Sequence, residues 1–388
     1  MKNIITGQFN DSLFPIMDGV GLVAKNYAYW LNKKYGTGYC IGPQVPGHVD
    51  TDTYILRFPT IPIPGHVPYR YGLPRFGNFR KQLNSIEFDI VHSHCPFVSG
   101  KEALRIARKR NIPLISTFHS KYREDFLRAF KTQYLADKAV AVIMHYYEKT
   151  DLVWVPNEPT VETLRSYGYK GLVEVAENGT DLQVPTEQQY IQLKNQGRAL
   201  TGVTEDDFVL LFVGQHRWEK NVRLILEGLH KVAKRNKQFK AFFVGSGPEL
   251  KEMKKLVESY SLSGSIRFEG IIKDREVLKA YYAVSDVFMF PSLYDTASLV
   301  MKEAAAFHVP TIYVKEAATA KGIECRSNGF LTENTSDSFA DMIVDLIENP
   351  ALVKKAGAGA LKTIYTSWEM IVDSVYERYL KIIRDRKA

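Results

Sequence analysis

Cysteine is scarce in this sequence, and long apolar runs and repeats are missing. The three cysteines, Cys40, Cys95 and Cys325, are odd in number, far apart and without the spacing of metal ligands. They therefore argue against a disulfide framework and predict reduced thiols in a reducing compartment. No apolar stretch approaches the roughly 18 residues that cross a bilayer, which argues against a membrane span. Tandem repeats, low-complexity tracts and Gly/Ser linkers are also missing.

The N-terminal segment MKNIITGQFN lacks the long apolar region of a secretory signal, so we expect a cytoplasmic protein. The formal net charge of +8 lies mostly in residues 1–180, which carry 22 Lys and Arg against 16 Asp and Glu. Such a bias fits nucleic acid, anionic lipid or a phosphorylated ligand as a partner, and it also fits mere solubility.

Short apolar runs alternate with amphipathic stretches along most of the chain, a pattern typical of parallel α/β units. The alternation pauses in the polar, helix-prone residues 181–205 and restarts at FVLLFVG. We predict a first Rossmann-like domain over 1–180, a linker over 181–205 and a second Rossmann-like domain over 206–367. Two such doubly wound domains would face a cleft, because open α/β sheets bind ligands at the carboxyl ends of their strands.

Glycines mark two strand-to-helix turns. Gly19, Val20 and Gly21 open a helix shortly after the first strand, where backbone N–H groups can meet a phosphate. A tight structural turn explains these glycines equally simply. For Gly245 and Gly247, which end a later strand before Pro248, we favour the structural turn.

Cations and histidines also collect at predicted strand ends. Arg217 and Lys220 follow the strand that ends before Gly214, where they could hold a diphosphate leaving group or simply form a solvated loop. His92 and His94 lie two residues apart on one strand face, but no third metal ligand is evident. His94 and His119 lie at strand ends, where they could line the cleft.

Two carboxylates, Asp295 and Glu303, flank the start of a helix in YDTASLVMKEAA. The first-turn amides of Ala297, Ser298 and Leu299 would lack helical partners and could bind an anion. Glu303 would lie about 7 Å along the helix axis from Ser298. A nucleotide diphosphate sugar matches this arrangement, with sugar hydroxyls for one acid, phosphates for the amides and ribose hydroxyls for the other.

With this stretch in view, the chain resembles the family 4 retaining glycosyltransferases of the GT-B fold. Their signature of two acids separated by seven residues matches Asp295 and Glu303. The resemblance covers nearly the whole chain, and its other segments are DGVG, FDIVHSHCPF, STFHSKY, AENGTD, GQHRWEKN, GSGP, FPSLYD and NGFL.

The resemblance implies that Glu303 binds the donor ribose, and that Asp295 with the amides of residues 297–299 holds the sugar and diphosphate. It implies that Lys220 neutralises the phosphates and that the Gly19–Gly21 loop approaches them from the other domain.

The resemblance further implies that His119 contacts the transferred sugar, that the base rests near Gly270 and Ile271, and that residues 368–388 return as a helix to the first domain. His119 and Asp295 are thus the expected catalytic residues, with neither metal nor cofactor.

Three positions depart from the family pattern. Asp295 replaces a Glu and shortens the reach by about 1.5 Å, which favours hydrogen bonding to sugar hydroxyls over a nucleophilic role. Gln215 stands where the family has Arg, so that Arg217 would have to supply the second phosphate cation. Ser298 replaces a frequent Gly and would tighten the sugar pocket.

The segment after His119 interleaves basic and aromatic side chains, as does YRYGLPRFGNFRK at 69–81. Such surfaces can seat a protein on anionic lipid, and the same pattern fits a helix packed on its own domain. The expected acceptor or membrane contacts are Lys121, Tyr122, Arg123, Phe126 and Phe130. This segment resembles that of diacylglycerol glucosyltransferases, which are peripheral membrane enzymes.

We therefore predict a hexosyltransferase that transfers a hexose, expected to be glucose, from a UDP-sugar to a lipid such as diacylglycerol. The transfer would retain the configuration at the anomeric carbon and take place at the inner face of the cell membrane. The alternative is transfer to a soluble glycan, polysaccharide or small molecule. A remote alternative is a non-enzymatic basic protein that binds nucleic acid, although the sequence has no recognised nucleic-acid motif.

Overall fold

The computed structural model describes residues 3–16, 18–64 and 68–387. The chain forms two compact units: Met1–Asn178 with Trp368–Ala388, and Gly179–Ser367. The final helix therefore belongs to the first unit, although it follows the second in sequence.

The first unit is built on a parallel sheet that has, among the described residues, seven strands in the order β3-β2-β1-β6-β7-β8-β9. The strands of this sheet are β1 (Thr6–Phe9), β2 (Gly38–Pro43), β3 (Ile55–Phe58), β6 (Ile90–Ser93), β7 (Leu114–Thr117), β8 (Leu152–Val155) and β9 (Val173–Val175). A short antiparallel pair is formed by β4 (Thr60–Pro62) and β5 (Arg70–Gly72). The helices are α1 (Gly19–Tyr35), α2 (Phe79–Ser85), α3 (Val98–Arg110), α4 (Tyr122–Phe130), α5 (Gln133–Tyr147), α6 (Glu158–Ser166) and, at the end of the chain, α14 (Trp368–Lys387).

The second unit is built on a parallel sheet that has, in the described part of the chain, the strand order β12-β11-β10-β13-β14-β15. Its strands are β10 (Val209–Val213), β11 (Lys240–Val244), β12 (Ile266–Gly270), β13 (Val287–Met289), β14 (Thr311–Val314) and β15 (Phe330–Thr332). Its helices are α7 (Glu187–Thr201), α8 (Val222–Lys234), α9 (Leu250–Ser259), α10 (Arg275–Val284), α11 (Leu299–Ala306), α12 (Ser336–Glu348) and α13 (Pro350–Thr363), with 3-10 turns at Trp218–Lys220 and Ala318–Ala320.

The apolar run of strand β10 is continuous because both faces of the strand are buried. Leu210 and Phe212 are buried in one hydrophobic cluster of the second unit, whereas Val209 and Leu211 are buried in another. Side chains alternate between the two faces of a strand, so a strand covered by helices on both faces must be apolar throughout.

The structure corrects the predicted linker over 181–205. Most of this segment is helix α7, which is capped at its start by a capping box of Thr186 and Gln189 and at its end by Gly202. Tyr190 and Leu193 pack on the core of the second unit, and the guanidinium of Arg267 donates to the Thr201 carbonyl at 2.8 Å. The polar composition of this segment reflects a helix with one wide solvent face, because only a narrow stripe of it is buried.

Candidate active site

Lys220 and Asp295 come together in the second unit. They follow β10 and β13, which are neighbours in the sheet, so both loops leave the same edge. The Lys220 ammonium donates to Asp295 Oδ1 in an ion pair whose side chains are only 16% and 15% exposed. Asp295 Oδ2 is buried and has no hydrogen-bond partner among the described residues. A buried carboxylate oxygen ordinarily accepts a hydrogen bond, so this atom is suited to a hydroxyl of a bound ligand.

The amides of residues 297–299 lie beside this pair. Helix α11 begins at Leu299, two residues later than the sequence suggests, because Ser298 has an extended conformation with φ −111° and ψ 134°. No acceptor for the amides of Ala297, Ser298 and Leu299 is found in the described part of the chain. These donors lie at the positive end of the helix dipole, an arrangement that favours an anion.

Glu303 lies further along α11, where its side chain is buried. Oε1 accepts from the Arg275 guanidinium and Oε2 accepts from the Tyr282 hydroxyl, both at 2.8 Å. The same Arg275 nitrogen donates to Asp181 Oδ1 at 2.5 Å. Since a carboxylate has about four acceptor positions, Glu303 keeps acceptor capacity for ligand hydroxyls.

The environment of Glu303 shifts the pKa values of Arg275 and Tyr282. Burial lowers the pKa of Arg275, but the charges of Glu303 and Asp181 outweigh burial and raise that pKa above its ordinary value. Burial, reinforced by the charge of Glu303, raises the pKa of Tyr282 well above its usual range. Arg275 therefore stays cationic, and Tyr282 stays protonated as a donor to Glu303.

Backbone hydrogen bonds join the loops that follow β10, β11 and β12. The Gly214 amide donates to the Val244 carbonyl at 3.0 Å, and the Gly245 amide donates to the Gly270 carbonyl at 2.7 Å. Gly245 has a φ of 130°, and a Cβ there would lie 1.9 Å from the Gly214 carbonyl oxygen. Only glycine fits this position, which gives the GSGP segment its structural role. Ile271, next to Gly270, is 56% exposed at the carboxyl end of β12.

Gln215 and Arg217 lie in the same loop as Lys220. The Gln215 side chain is exposed, and the Arg217 Nε lies 4.0 Å from a carboxylate oxygen of Glu219. Asn221 fixes this loop against the one that carries Asp295, because its side-chain amide donates to the Pro291 carbonyl at 3.1 Å.

In the first unit, residues 19–21 form the first turn of α1. Gly19 is exposed, whereas Gly21 is buried, and a Cβ at Gly21 would lie 2.7 Å from the Ser12 carbonyl oxygen. Val20, between them, is partly exposed. Gly21 therefore has a packing role, and the approach of this loop to a diphosphate stays a prediction.

The predicted histidines lie close together in the first unit. The rings of His92 and His94 stack with centroids 4.3 Å apart, and His94 Nδ1 is 3.2 Å from His119 Nε2. Burial lowers the pKa of His119 to about 3 and lowers the pKa of His92 and His94 well below 6.5. The cluster is therefore neutral near pH 7.

The residues predicted to meet the acceptor or a membrane divide into two groups. The prediction is wrong for Tyr122 as a surface contact, because this side chain is 6% exposed in the core of the first unit. Phe126 packs partly on the same core, and Arg123 pairs with Asp137 at 3.1 Å. Phe130, at 45% exposure, is on the surface, and Lys121 is partly exposed at the start of α4. The helical spacing predicts one face correctly, but it does not reveal which end of that face the core covers.

Several residues of the site are not evident from the sequence. Arg275, Asp181 and Tyr282 surround Glu303, although they lie 28, 122 and 21 positions from it. In the sequence, Arg275 is marked by its place at the start of the helix that follows a strand, and this position is too common to identify a site residue. No group of three or more His, Cys, Asp or Glu that could hold a metal ion occurs among residues 3–16, 18–64 and 68–387. In the same residues, no helix has the length and apolar character needed to cross a bilayer.

Two family models match the chain and define its class. The model "Glycosyltransferase Family 4" matches residues 17–184, and "Glycosyl transferases group 1" matches residues 194–363. The chain belongs to the family 4 glycosyltransferases, which confirms the resemblance seen in its sequence.

Curated relatives narrow the comparison. The chain is 24% identical over 388 residues to the alpha-monoglucosyldiacylglycerol synthase of Acholeplasma laidlawii, covering 97% of each chain. It is 26% identical over 314 residues to the alpha-monoglucosyldiacylglycerol synthase of Streptococcus pneumoniae (strain ATCC BAA-255 / R6), covering 79% of this chain and 70% of that one.

Solved structures confirm the predicted α/β GT-B fold. A sucrose-phosphate synthase from Thermosynechococcus elongatus superposes with a TM-score of 0.79 at 19% identity, covering 98% of this chain and 100% of that one. Anabaena Alr3699/HepE, solved in complex with UDP, superposes with a TM-score of 0.72 at 16% identity, covering 97% and 100%. The two glycosyltransferase family models, not the shared fold, show that the protein is an enzyme of the hexosyltransferase type, and the non-enzymatic alternative is set aside.

Proposed function

We propose that this enzyme transfers glucose from a UDP-sugar to diacylglycerol with retention at the anomeric carbon. One observation carries the donor part of the proposal: a buried, unpartnered oxygen of Asp295 lies on the same loop as three amides without acceptors, beside Lys220. Sugar hydroxyls would donate to Asp295 Oδ2, the diphosphate would accept from the amides of residues 297–299, and ribose hydroxyls would donate to Glu303.

The proposed reaction needs positive charge where the diphosphate leaves. The acceptor hydroxyl oxygen would bond to the anomeric carbon on the face that the diphosphate leaves, while the carbon–oxygen bond to the diphosphate breaks and its electrons go to the diphosphate. The hydroxyl proton would pass to an oxygen of the departing diphosphate. Lys220 and the amides would stabilise that charge without a metal ion. When the donor binds, Lys220 would pair with the phosphates instead of with Asp295. Asp295 would then accept hydrogen bonds from the sugar hydroxyls, and His119 would help to position the sugar.

UDP as the carrier rests on two supports. Alr3699/HepE, which shares the fold, was solved with UDP. In this chain the exposed Ile271 next to Gly270 offers an apolar surface for a base at the carboxyl end of β12. A glucosyl group and a diacylglycerol acceptor are supported by the names of the two synthases that the chain resembles.

A surface on α4 and α5 supports a lipid acceptor. We call it the α4–α5 patch, and its exposed apolar side chains are Leu127, Phe130, Tyr134, Leu135 and Val142, which are 39%, 45%, 69%, 48% and 70% exposed. Lys131 and Lys138 are exposed among them. Apolar side chains mixed with lysines bind anionic membranes, because the apolar groups enter the interface while the lysines meet the lipid charge. We propose that this patch seats the enzyme on the inner face of the cell membrane.

The donor is tested by measuring thermal stabilisation and slow hydrolysis with a panel of UDP- and GDP-sugars. UDP-glucose should give the largest shift, and Lys220→Ala should remove most of it. A larger shift with a GDP-sugar would contradict the proposed donor.

The acceptor is tested with the preferred donor and either diacylglycerol in mixed micelles or soluble glycans and small molecules. Product formed only with diacylglycerol supports the proposal, whereas product formed only with soluble acceptors overturns it in favour of the alternative. Sedimentation with anionic vesicles tests the α4–α5 patch through Leu135→Glu. The matched control is Ile191→Glu on α7, where the side chain is 54% exposed but lies in the second unit. Leu135→Glu should reduce vesicle binding and Ile191→Glu should not, and equal binding by both would contradict the patch.

A further inference from the structure

The final helix contributes a buried hydroxyl to the histidine cluster of the first unit. Tyr379 on α14 is fully buried, and its hydroxyl oxygen lies 2.6 Å from His92 Nδ1 and 3.3 Å from Gln8 Nε2. Gln8 is also fully buried, and its Oε1 lies 3.0 Å from His94 Nε2. His94 Nδ1 in turn lies 3.2 Å from His119 Nε2. A continuous set of hydrogen bonds thus runs from Tyr379 through Gln8 and His94 to His119.

The direction of these hydrogen bonds follows from the chemistry of the tyrosine. His92 is neutral, so one of its ring nitrogens donates and the other accepts. A phenol O–H is a stronger donor than a neutral imidazole N–H, and the 2.6 Å separation is typical of an O–H donor. Tyr379 therefore donates to His92 Nδ1, and His92 Nε2 donates to the Thr117 hydroxyl at 2.6 Å.

The rest of the order is then determined. Since the Tyr379 hydrogen is used toward His92, its oxygen accepts from Gln8 Nε2, and Gln8 presents Oε1 to His94. His94 must carry its hydrogen on Nε2 and accept on Nδ1. His119 must therefore carry its hydrogen on Nε2, and its Nδ1 is an acceptor.

We propose that Tyr379 and Gln8 are positioning residues that act through His94 to hold His119 in the tautomer protonated at Nε2. In that tautomer Nδ1 carries the lone pair of the ring, so a hydroxyl of the transferred sugar that met this atom would donate to it. This consequence for catalysis rests on the proposed function, whereas the tautomer itself does not. The reverse order would need the Gln8 amide rotated by half a turn, with His119 protonated at Nδ1.

The hydroxyl can be removed without removing the packing around it. The Tyr379 ring stacks on Trp154 with centroids 5.5 Å apart and an interplanar angle of 7°. Tyr379→Phe keeps this stack. Tyr376→Phe is the matched control, because Tyr376 lies on the same helix and stacks on Tyr35 at 3.7 Å, outside the network.

The test is ¹⁵N NMR of the full-length protein with labelled histidine, with the His119 signals assigned by His119→Asn. Wild type and Tyr376→Phe should give the pattern of an Nε2-protonated ring for His119, and Tyr379→Phe should give a mixture of tautomers. An Nδ1-protonated ring in wild type overturns the proposal. An unchanged pattern in Tyr379→Phe also overturns it.

Kinetics supply the second readout. Tyr379→Phe should lower kcat roughly two- to tenfold, the effect of one neutral hydrogen bond, with the donor KM unchanged. A fall in activity that follows thermal unfolding, with an unchanged tautomer, would assign Tyr379 a structural role and overturn the proposal.

A pair of substitutions at Gln8 keeps the test decisive if Tyr379→Phe fails to fold. In alkaline buffer, where His94 stays neutral, Gln8→Glu still accepts from His94 Nε2 and should preserve the His119 tautomer, whereas Gln8→Met should not. The same tautomer in both variants overturns the proposal. His119→Ala separates the proposed contact with the sugar from the tautomer of His119. A wild-type rate in that variant would refute the contact with the sugar and leave the tautomer result unchanged.

Discussion

Ion pairs hold Lys220, Asp295 and Glu303 of the second unit, whereas hydrogen bonds between neutral groups hold the histidine cluster of the first. In the second unit Lys220 pairs with Asp295, and Arg275 pairs with both Asp181 and Glu303. In the first unit, burial keeps His92, His94 and His119 uncharged, and they are linked through hydroxyl and amide groups.

This difference matches the ligands that each unit is proposed to meet. A diphosphate carries charge that increases as it leaves, so fixed cations and helix amides beside it are effective. A sugar hydroxyl is neutral, and a neutral imidazole can bind it without attracting the diphosphate away from its own site. Charge should therefore matter for activity in the second unit, and neutrality in the first.

The largest expected effect is the loss of Lys220. Lys220→Ala should lower turnover by roughly 10² to 10³, the cost of removing one electrostatic stabiliser, measured as kcat with the preferred donor. Lys315→Ala is the control, because Lys315 also pairs with an acid of the second unit, Glu333, but its side chain is 52% exposed. Wild-type turnover in Lys220→Ala would end the assignment.

A smaller effect is expected from the buried carboxylate network. Arg275→Met leaves Glu303 buried without its cation, which should lower the free energy of unfolding by about 3 kcal/mol, the lower end for breaking a buried pair. Donor KM should rise as well, because Glu303 would lose its orientation. Urea unfolding measures the first effect and steady-state kinetics the second.

The control for this experiment is Arg326→Met. Arg326 pairs with Asp345 at 2.7 Å in the same unit, but the two side chains are 55% and 30% exposed. Exposed pairs contribute about 0 to 1 kcal/mol. Equal destabilisation by the two substitutions would mean that the ion pairs around Glu303 contribute no more to the free energy of unfolding than an exposed pair does.

The sequence predicts the fold and the strand-end positions of the site well, because these depend on local patterns. The apolar run of β10, the strand-to-helix turn at Gly245 and the acids at Asp295 and Glu303 all follow from spacing along the chain. The partners of these acids do not, because Arg275 and Asp181 reach Glu303 only through the packing of helices far apart in sequence.

The same reason explains the positions that the sequence misplaces. Tyr122 and Phe130 share one helical face, but the core of the first unit covers only the Tyr122 end. Segment 181–205 resembles a linker because Gly197 and Thr201 are the buried residues of α7, and Tyr190 and Leu193 are only partly buried against the core. Burial along a helix is set by its neighbours, which a single sequence does not specify.

Mild acid should destabilise the first unit more than the second. The pKa of His119 falls from an ordinary 6.5 to about 3 in the folded state, and those of His92 and His94 are also lowered. The unfolded chain therefore binds protons first as pH falls, so stability is full well above the unfolded pKa of 6.5 and declines as pH falls toward the folded pKa. Each such histidine should cost roughly 0.7 kcal/mol between pH 7 and pH 6.

Hydrogen exchange resolved by peptide and corrected for intrinsic rates measures this difference. The second unit has a comparable shift at His216, whose pKa burial lowers to about 4, so it should also lose protection, but less. His94→Gln should reduce the acid sensitivity of the first unit. Equal loss of protection in both units would contradict the contrast between them.

The smallest expected effect is that of salt. The Debye length is about 10 Å at 0.1 M salt, so added NaCl should screen the attraction between the diphosphate and Lys220. Because the Lys220 and Asp295 side chains are only 16% and 15% exposed, screening should be partial, and donor KM should rise less than about threefold between 50 and 300 mM. The neutral contacts of His119 should be insensitive to salt, so the ratio of kcat in wild type to kcat in Tyr379→Phe should stay constant. Both rates are measured with acceptor in micelles, so that vesicle charge does not contribute. A ratio of the two kcat values that changed with salt would mean that charge also governs the first unit.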